Sequence, residues 1–394
     1  MVKYIQEEVY MLVYFEVGGF LSFNEAQMLY FTPSPGARIV NTKYEKNFVI
    51  PNSKKIPRVM KSAVLFGDNA SGKTNWFYAL ASFKRIIKNG LERDFDKDFN
   101  FYCENIKFSI GIIEPVNKSV FEYALEFNKD RQIIYEEFIC DNNLIFIYEN
   151  KKLSIDIDLD KKNEIESLFN TVNSTDTFLS KLEDFIPDYI KSFVDTISSV
   201  GVVTESPFNE EIKYLPQFRL IDEDEKKVID SYKQEVIEIL SDLDSTIDDF
   251  EYTKREAKDK IGYDLVIKRK GHKYDIAYES QGIRKIVNLL IDILGIFDGK
   301  TVLIDELDSS IGAKALIRIF NSIINSNKNE KGQLIISSHN LILMDFDSFH
   351  ASQLYVFSKD SKYQTVIRSI DDYELRYEKK NLPALYLDGS FEVY

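Results

Sequence analysis

Stretches of alternating apolar and polar residues give way along the chain to wholly apolar runs and to three-to-four spacing, and the order of these textures outlines a fold. In MLVYFEVGGFLSFNEAQMLYF (11–31) β-branched and aromatic residues form two runs around Gly18-Gly19, which predicts a hairpin on a sheet edge. A loop with Pro33, Pro35, Pro51 and Pro57 follows, and SAVLF (62–66) is then the short apolar run of a buried strand. Trp76, Phe77, Leu80, Phe83, Ile86 and Ile87 recur directly after it at helical spacing. Between 101 and 160 the segments IKFSIGII, VFEYALEF, QIIYEEFI and LIFIYE alternate and predict an antiparallel meander. From about 161 the pattern turns helical (DTFLSKLEDFIPDYIKSFVDTI, EDEKKVIDSYKQEVIEILSDL), without heptads sustained enough for an extended coiled coil.

A second strand pair, FEYTKREA and IGYDLVIKRKGHKYDIAY, is expected to return the chain to the sheet. Ile283, Ile286, Val287, Leu290, Ile293, Leu294 and Phe297 then lie on one face of a helix, and TVLI and GQLIIS add two buried strands. The division that follows is α/β, with lobes at 1–160 and 246–394 around a helical insertion at 161–245. Neither an internal repeat nor a low-complexity segment interrupts it.

Composition narrows the class. With 394 residues, 44% hydrophobic and 29% charged, the chain has material for a large core and is not wholesale disordered. Cys103 and Cys140 form neither a metal-ligand cluster nor a disulfide framework, so they are expected as buried free thiols in a reducing cytosol. No apolar stretch reaches the roughly 18 residues of a membrane span. Glu7, Glu8 and Glu16 stand where a signal peptide is uncharged, so a cytoplasmic protein without a membrane partner is expected. A net charge of -14 disfavours a surface built to coat nucleic acid, while leaving room for a local basic patch.

Chemistry enters at GDNASGKT (67–74), which joins the run SAVLF to the following helix with the spacing Gly-x4-Gly-Lys-Thr of a P-loop. Backbone N–H groups at a helix start suit phosphates, Lys73 suits the β- and γ-phosphates, and the Thr74 hydroxyl suits Mg²⁺. Gly67, Asn69, Ala70, Ser71, Gly72, Lys73, Thr74 and Asn75 are thus the candidate binding residues for ATP with Mg²⁺. In KTVLIDELDSSIG a buried strand ends in Asp305-Glu306, which suits Asp305 to the metal and Glu306 to activating water. GQLIISSHN presents Ser338 and His339 at a strand end, where His339 is either a satisfied structural histidine or a contact to the γ-phosphate or attacking water. Ser280 and Gly282, at the start of the apolar-faced helix, are either an ordinary cap or an anion site.

The order P-loop, insertion, Ser-x-Gly helix start, apolar-Asp-Glu, then strand plus histidine resembles the ABC-type ATPase heads that include SMC and RecF proteins. Their Leu-Ser-Gly-Gly-Gln signature is present only as ESQGIRK, with Gly282 retained. FEVGGFLSF, VMKSAVLFGDNASGKTN, YESQGIRKI, LIDELDSSIG, IISSHN and LPALYLDGSFEVY more closely resemble the RloA and AbiL branch of bacterial abortive-infection ATPases, related to the heads of OLD nucleases. These pieces span nearly the whole chain, and the insertion adds none. The resemblance implies a P-loop ABC-type head, a mixed sheet with an antiparallel meander and a helical insertion subdomain. It further implies a dimer sandwiching ATP, each P-loop facing the other subunit's Ser280 and Gly282, with Asp308 on the loop between subunits. Two departures stand out: Gly312 replaces a histidine common in relatives, and no clear Q-loop glutamine exists.

Relatives append a Toprim or toxin domain, and the 55 residues after His339 are too few for either. Asp345-x-Asp347 lacks a preceding glutamate strand and is expected as a solvated turn, and KRKGHK (268–273) is either an exposed hairpin turn or a nucleic-acid contact. The expected function is an ATP-hydrolysing regulatory subunit of an antiphage system, holding a separate toxic effector and answering to a nucleic-acid or phage-derived trigger. The alternatives are a RecF- or SMC-like DNA-maintenance ATPase and an ATP-gated scaffold with little turnover.

Overall fold

The structure is a computed structural model that describes residues 10–51, 53–91, 95, 97–114, 118–156, 162–169, 175–181, 187–204, 213–214, 220–257, 260–344, 348–373 and 381–391. Strand β1 (Met11–Gly18) turns at Gly19 and pairs antiparallel with β2 (Gln27–Tyr30), in the register Tyr14↔Tyr30 to Val17↔Gln27. The expected hairpin is there, with β2 on the sheet edge. A ribbon of β3 (Phe48–Val49) and β4 (Val59–Met60) leads into β5 (Ser62–Gly67), all six residues of which are buried, and then into helix α1 (Lys73–Asn89). Strands β6 (Asn105–Ile113), β7 (Val120–Asn128), β8 (Ile133–Cys140), β9 (Asn143–Glu149) and β10 (Lys152–Ile155) form the expected meander, joined to β1 through β6.

Helices α2 (Lys162–Phe169), α3 (Phe178–Lys181) and α4 (Asp188–Ser199) come next, then strands β11 (Gly201–Thr204) and β12 (Lys213–Tyr214) and helices α5 (Glu223–Ser231) and α6 (Lys233–Leu243). Residues 161–245 thus carry the expected helices, together with strand β11. Its run GVVT, with three β-branched residues, pairs in parallel with a strand introduced below, weaving the segment into the central sheet. Strands β13 (Asp249–Ala257), β14 (Lys260–Arg269) and β15 (His272–Asp275) follow as a separate three-stranded sheet. This corrects the expected return of that strand pair to the main sheet: hairpin pairing is local, and alternation alone does not say which sheet a hairpin joins.

The remaining elements are α7 (Gln281–Leu294), β16 (Thr301–Ile304), α8 (Ala313–Ile319), β17 (Gln333–Ser337), β18 (Leu354–Lys359), β19 (Thr365–Ser369) and α9 (Leu382–Leu387). The central sheet has the order β12-β11-β16-β17-β5-β18-β19, parallel except for β19. Period-two alternation splits its side chains between two cores. Ala63, Leu65, Leu303, Ile335 and Phe357 face α1 and the meander, while Val64, Phe66, Ile304, Ile336 and Val356 face the α6–α8 side. Trp76 of α1 is fully buried, its ring 5.6 Å from Phe15 of the meander sheet, which fixes the helix that follows the glycine-rich loop. With both faces covered, the free end of the sheet is the C-terminal edge of β5, β16 and β17, where open α/β sheets collect ligands. Asp345 and Asp347 lie outside the described residues.

Candidate nucleotide site

The loop from β5 to α1 closes through two glycine conformations. Gly72, the residue before α1, has φ +110, and a Cβ there would stand 2.2 Å from Thr365 Oγ1 and 2.9 Å from Ser22 Oγ. Gly67 has φ +155, and its Cβ would meet the Phe357 carbonyl at 2.5 Å. Thr365 Oγ1 in turn donates to the Ser71 carbonyl at 2.8 Å, and Asn75 Nδ2 donates to Ser22 Oγ at 2.8 Å. Strand β19 and the β1–β2 turn therefore buttress the loop from outside, and neither Ser22 nor Thr365 was among the candidates from sequence. Both are small hydroxyl residues in turn or edge contexts that carry no motif of their own.

Lys73 is buried, and its Nζ donates to the carbonyls of Gly67 at 2.6 Å and Asp68 at 3.1 Å. Burial lowers its pKa, while Asp305, Glu306, Asp68 and Asp308 pull it back up. Thr74 Oγ1 donates to Asp305 Oδ2 at 2.7 Å. Asp305 is itself tied to the sheet, its N–H donating to the Val203 carbonyl of β11 at 2.9 Å. That strand, hidden in a stretch with a helical texture, therefore helps position a candidate metal ligand.

At the end of β17 the serine that enters the site is Ser337. Its hydroxyl donates to Asp305 Oδ1 at 2.5 Å and accepts the Glu306 N–H at 2.7 Å. Ser338, the next residue, accepts the Asn340 N–H at 2.9 Å and shapes the following turn. Ser337 is the last residue of β17, and neighbouring residues of an extended chain point to opposite faces. Glu306 has a left-handed backbone at φ +50, and its Oε1 lies 3.9 Å from His339 Nε2, with both side chains partly exposed. The His339 N–H donates to Asp308 Oδ2 at 3.1 Å.

Ser280 caps α7, accepting the Ile283 N–H at 3.3 Å, as the cap reading requires. Gly282 lies against the loop after Glu306, where a Cβ would stand 2.3 Å from the Ser310 carbonyl. Lys73, Thr74, Asp305, Glu306 and His339 therefore gather around one strand edge. Among the described residues no hydrogen bond joins Ser280 or Gly282 to the P-loop of the same chain. Asn69 and Ser71 line a cavity of about 400 Å³ beside the loop, walled by Phe357, Lys359, Tyr386 and Phe391. Tyr386 of α9 donates to Asp68 Oδ1 at 3.2 Å, so the C-terminal helix, within LPALYLDGSFEVY, touches the loop.

KRKGHK forms the β14–β15 turn, with Lys270 at φ +48 and Gly271 at φ +80. Three of its cations are matched within the chain. Lys268 pairs with Asp249 and Glu251, Lys273 with Glu251, and Arg269 with Asp244 and Glu279. The hairpin-turn alternative is the one observed. Cys103 and Cys140 are free but only partly buried. No described helix is long and apolar enough to cross a membrane.

The fold resembles that of a solved SMC head. The Smc head bound to the C-winged helix domain of ScpA is similar over 92% of this chain and 99% of that one, at 11% identity and a TM-score of 0.52. The Smc head domain with a coiled coil and joint from Pyrococcus yayanosii covers 97% and 100%, at 9% identity and a TM-score of 0.49. Among curated proteins none matches the chain in sequence. A family model described as "AAA domain, putative AbiEii toxin, Type IV TA system" matches residues 62–345, from the first residue of β5 past His339. The chain has the fold of an SMC head around its P-loop, and with a family match across most of its length it belongs to this AAA family.

Proposed function

We propose that the chain hydrolyses ATP as a dimeric ABC-type head and thereby governs a separate toxic effector in bacterial antiphage defence. The observation that carries the hydrolytic reading is the hydrogen-bonded series Thr74, Asp305, Ser337, Glu306 at the mouth of the P-loop. Thr74 Oγ1 and the Asp305 carboxylate, 2.7 Å apart, are the oxygen donors a hard cation takes, and they would hold Mg²⁺. Bound there, the ion supplies positive charge to the β- and γ-phosphates. Lys73 exchanges the Gly67 and Asp68 carbonyls for phosphate oxygens. Water oxygen bonds to the γ-phosphorus as the bridging bond to ADP breaks, and Glu306 takes the water proton. His339 donates to the transferred phosphoryl group, and Ser280 with the α7 N-terminus of the partner closes its remaining face.

The family's description, with its AbiEii toxin and Type IV toxin–antitoxin wording, supports a defence role. A DNA clamp is disfavoured by the net charge of -14 and by the in-chain pairing of Lys268, Arg269 and Lys273. We keep the division 1–160, 161–245 and 246–394, and assign effector contact to the outer helices of the middle segment. The test is a pair of variants. Lys73→Ala is expected to lose ATP binding, while Glu306→Gln keeps it and traps ATP. Hydrolysis by Glu306→Gln at the wild-type rate would remove the glutamate from its role. Tight binding without measurable turnover by the wild type would favour an ATP-gated scaffold.

A further inference from the structure

Helix α7 is apolar on the face it turns to the core, yet it buries a lysine. Lys285 is 9% exposed, and its Nζ donates to the Glu306 carbonyl at 2.6 Å and to Ser309 Oγ at 2.6 Å. An ammonium kept so far from water has to be matched by strong acceptors. Those acceptors belong to the loop that carries the candidate base.

We propose that Lys285 is a positioning residue for hydrolysis, fixing the backbone of Glu306 and through it the aim of the carboxylate. This rests on the reading of Glu306 as the base. A left-handed conformation is uncommon for a residue with a side chain, and it persists only where the surroundings hold it. At Glu306, with φ +50, both sides of the residue are held. Its N–H is bound by Ser337 from the end of β17, and its carbonyl is bound by Lys285 from α7. Ser310, also left-handed at φ +67, presses its carbonyl against Gly282 and hydrogen-bonds the Gln281 side chain through Oγ at 3.2 Å. The first turns of α7 and residues 306–310 thus form one packed unit. A shift of α7 moves the Glu306 carbonyl with it. Lys285 thereby ties the helix that bears Ser280 and Gly282 to the glutamate, so that whatever seats the helix also seats the base.

The experiment is steady-state phosphate release and nucleotide affinity on the full chain with MgATP, comparing wild type, Lys285→Met, Glu306→Gln and the double variant. Lys285→Met is expected to lower kcat about 100-fold, the size of effect produced by misplacing a reacting group by an ångström. Nucleotide affinity should stay within about threefold of wild type, because Glu306 and Ser309, which Lys285 holds, lie outside the P-loop. In the Glu306→Gln background the same substitution should cost nothing further in kcat, since the two residues act as a unit. Additive losses, or a fall in affinity as large as the fall in kcat, would overturn the assignment and leave Lys285 a packing residue. Wild-type turnover by Glu306→Gln would instead sink the underlying base assignment, and this proposal with it. Where Lys285→Met does not fold, Lys285→Arg serves, keeping charge and donors on a longer arm. Its kcat should drop with affinity retained, and an unchanged kcat would overturn the assignment.

Discussion

The Ser337 hydroxyl lies 2.5 Å from Asp305 Oδ1, and the same oxygen takes the Glu306 N–H, so one small side chain aligns both acidic residues. Ser337→Ala leaves the Glu306 N–H and one Asp305 oxygen without their partner. Leaving such groups unmet costs about 1–3 kcal/mol. We expect turnover to fall about 10- to 100-fold with ATP binding retained, because Lys73 and the loop amides are untouched. Ser338→Ala, which loses only a turn bond to Asn340, should hydrolyse at nearly the wild-type rate. Equal losses in the two variants would show that Ser337 has no special place.

Ser337 also marks where the sequence stops being legible. The apolar runs ending in GDNASGKT, Asp305-Glu306 and Ser338-His339 announced three strands of the central sheet and the side of it that holds chemistry. Which of two adjacent serines faces inward depends on where the pleat starts, and tertiary packing decides that. Strand β11 was hidden because GVVT is short, with three β-branched residues directly after a helical stretch, and its place beside β16 is a long-range pairing. Lys285 left no trace either: within ESQGIRKIV it has the look of a solvated cation, and its acceptors lie more than twenty residues away.

Arg269 offers a second test, because it bridges two carboxylates just ahead of α7. Its NH1 and NH2 meet Glu279 at 2.5 and 2.8 Å, and its Nε and NH2 meet Asp244 Oδ2 at 3.2 and 2.8 Å. The Glu279 side chain is 7% exposed, so Arg269→Met strands a carboxylate in a nearly dry site, at a cost of about 3 kcal/mol. Bonds from the Thr246 hydroxyl and N–H, and then from Arg269, hold Asp244 down from 3.8 to about 2. A depressed carboxylate stabilises the fold above its unfolded pKa, and that contribution fades as pH falls through the folded value. Urea denaturation should therefore show a deficit for Arg269→Met that is full at neutral pH and narrows as pH drops from 3.8 towards 2. A deficit independent of pH would assign the loss to packing of the arginine stem.

Glu136 has the opposite sign. It is fully buried on β8, accepting from Tyr123 Oη at 2.9 Å and from the Phe178 N–H at 2.8 Å, and thereby docks α3 on the meander. Burial raises its pKa from 4.5 to about 7, with these donors opposing the shift. The folded state then holds a proton that the unfolded state has released, so stability is greatest below about 4.5 and declines as pH rises through 7. The decline is on the order of 3 kcal/mol. Glu136→Gln, which does not titrate, should flatten the slope of unfolding free energy between pH 5 and 7.5. The same slope in both proteins would mean that another group carries it.

The last prediction concerns how many chains complete one site. Gly282 packs on the Ser310 carbonyl of its own chain and Ser280 caps its own helix, while Lys73, Thr74 and Asp305 gather at the end of the central sheet. If Ser280 and the α7 N-terminus act on the phosphates of a second subunit, a monomer binds nucleotide but leaves one face of the γ-phosphate to water and turns over slowly. Lys73→Ala destroys the loop half of a site, and Ser280→Arg blocks the helix half with bulk and charge. Each variant alone should be inactive. Mixed, they form heterodimers in which one interface joins the intact loop of one chain to the intact helix start of the other, and turnover should return. Activity per chain should also rise with protein concentration through the dimer dissociation range, which sedimentation or light scattering with MgATP locates. No complementation, combined with turnover independent of concentration, would mean that each chain completes its own site and that Ser280 serves only as the cap of α7.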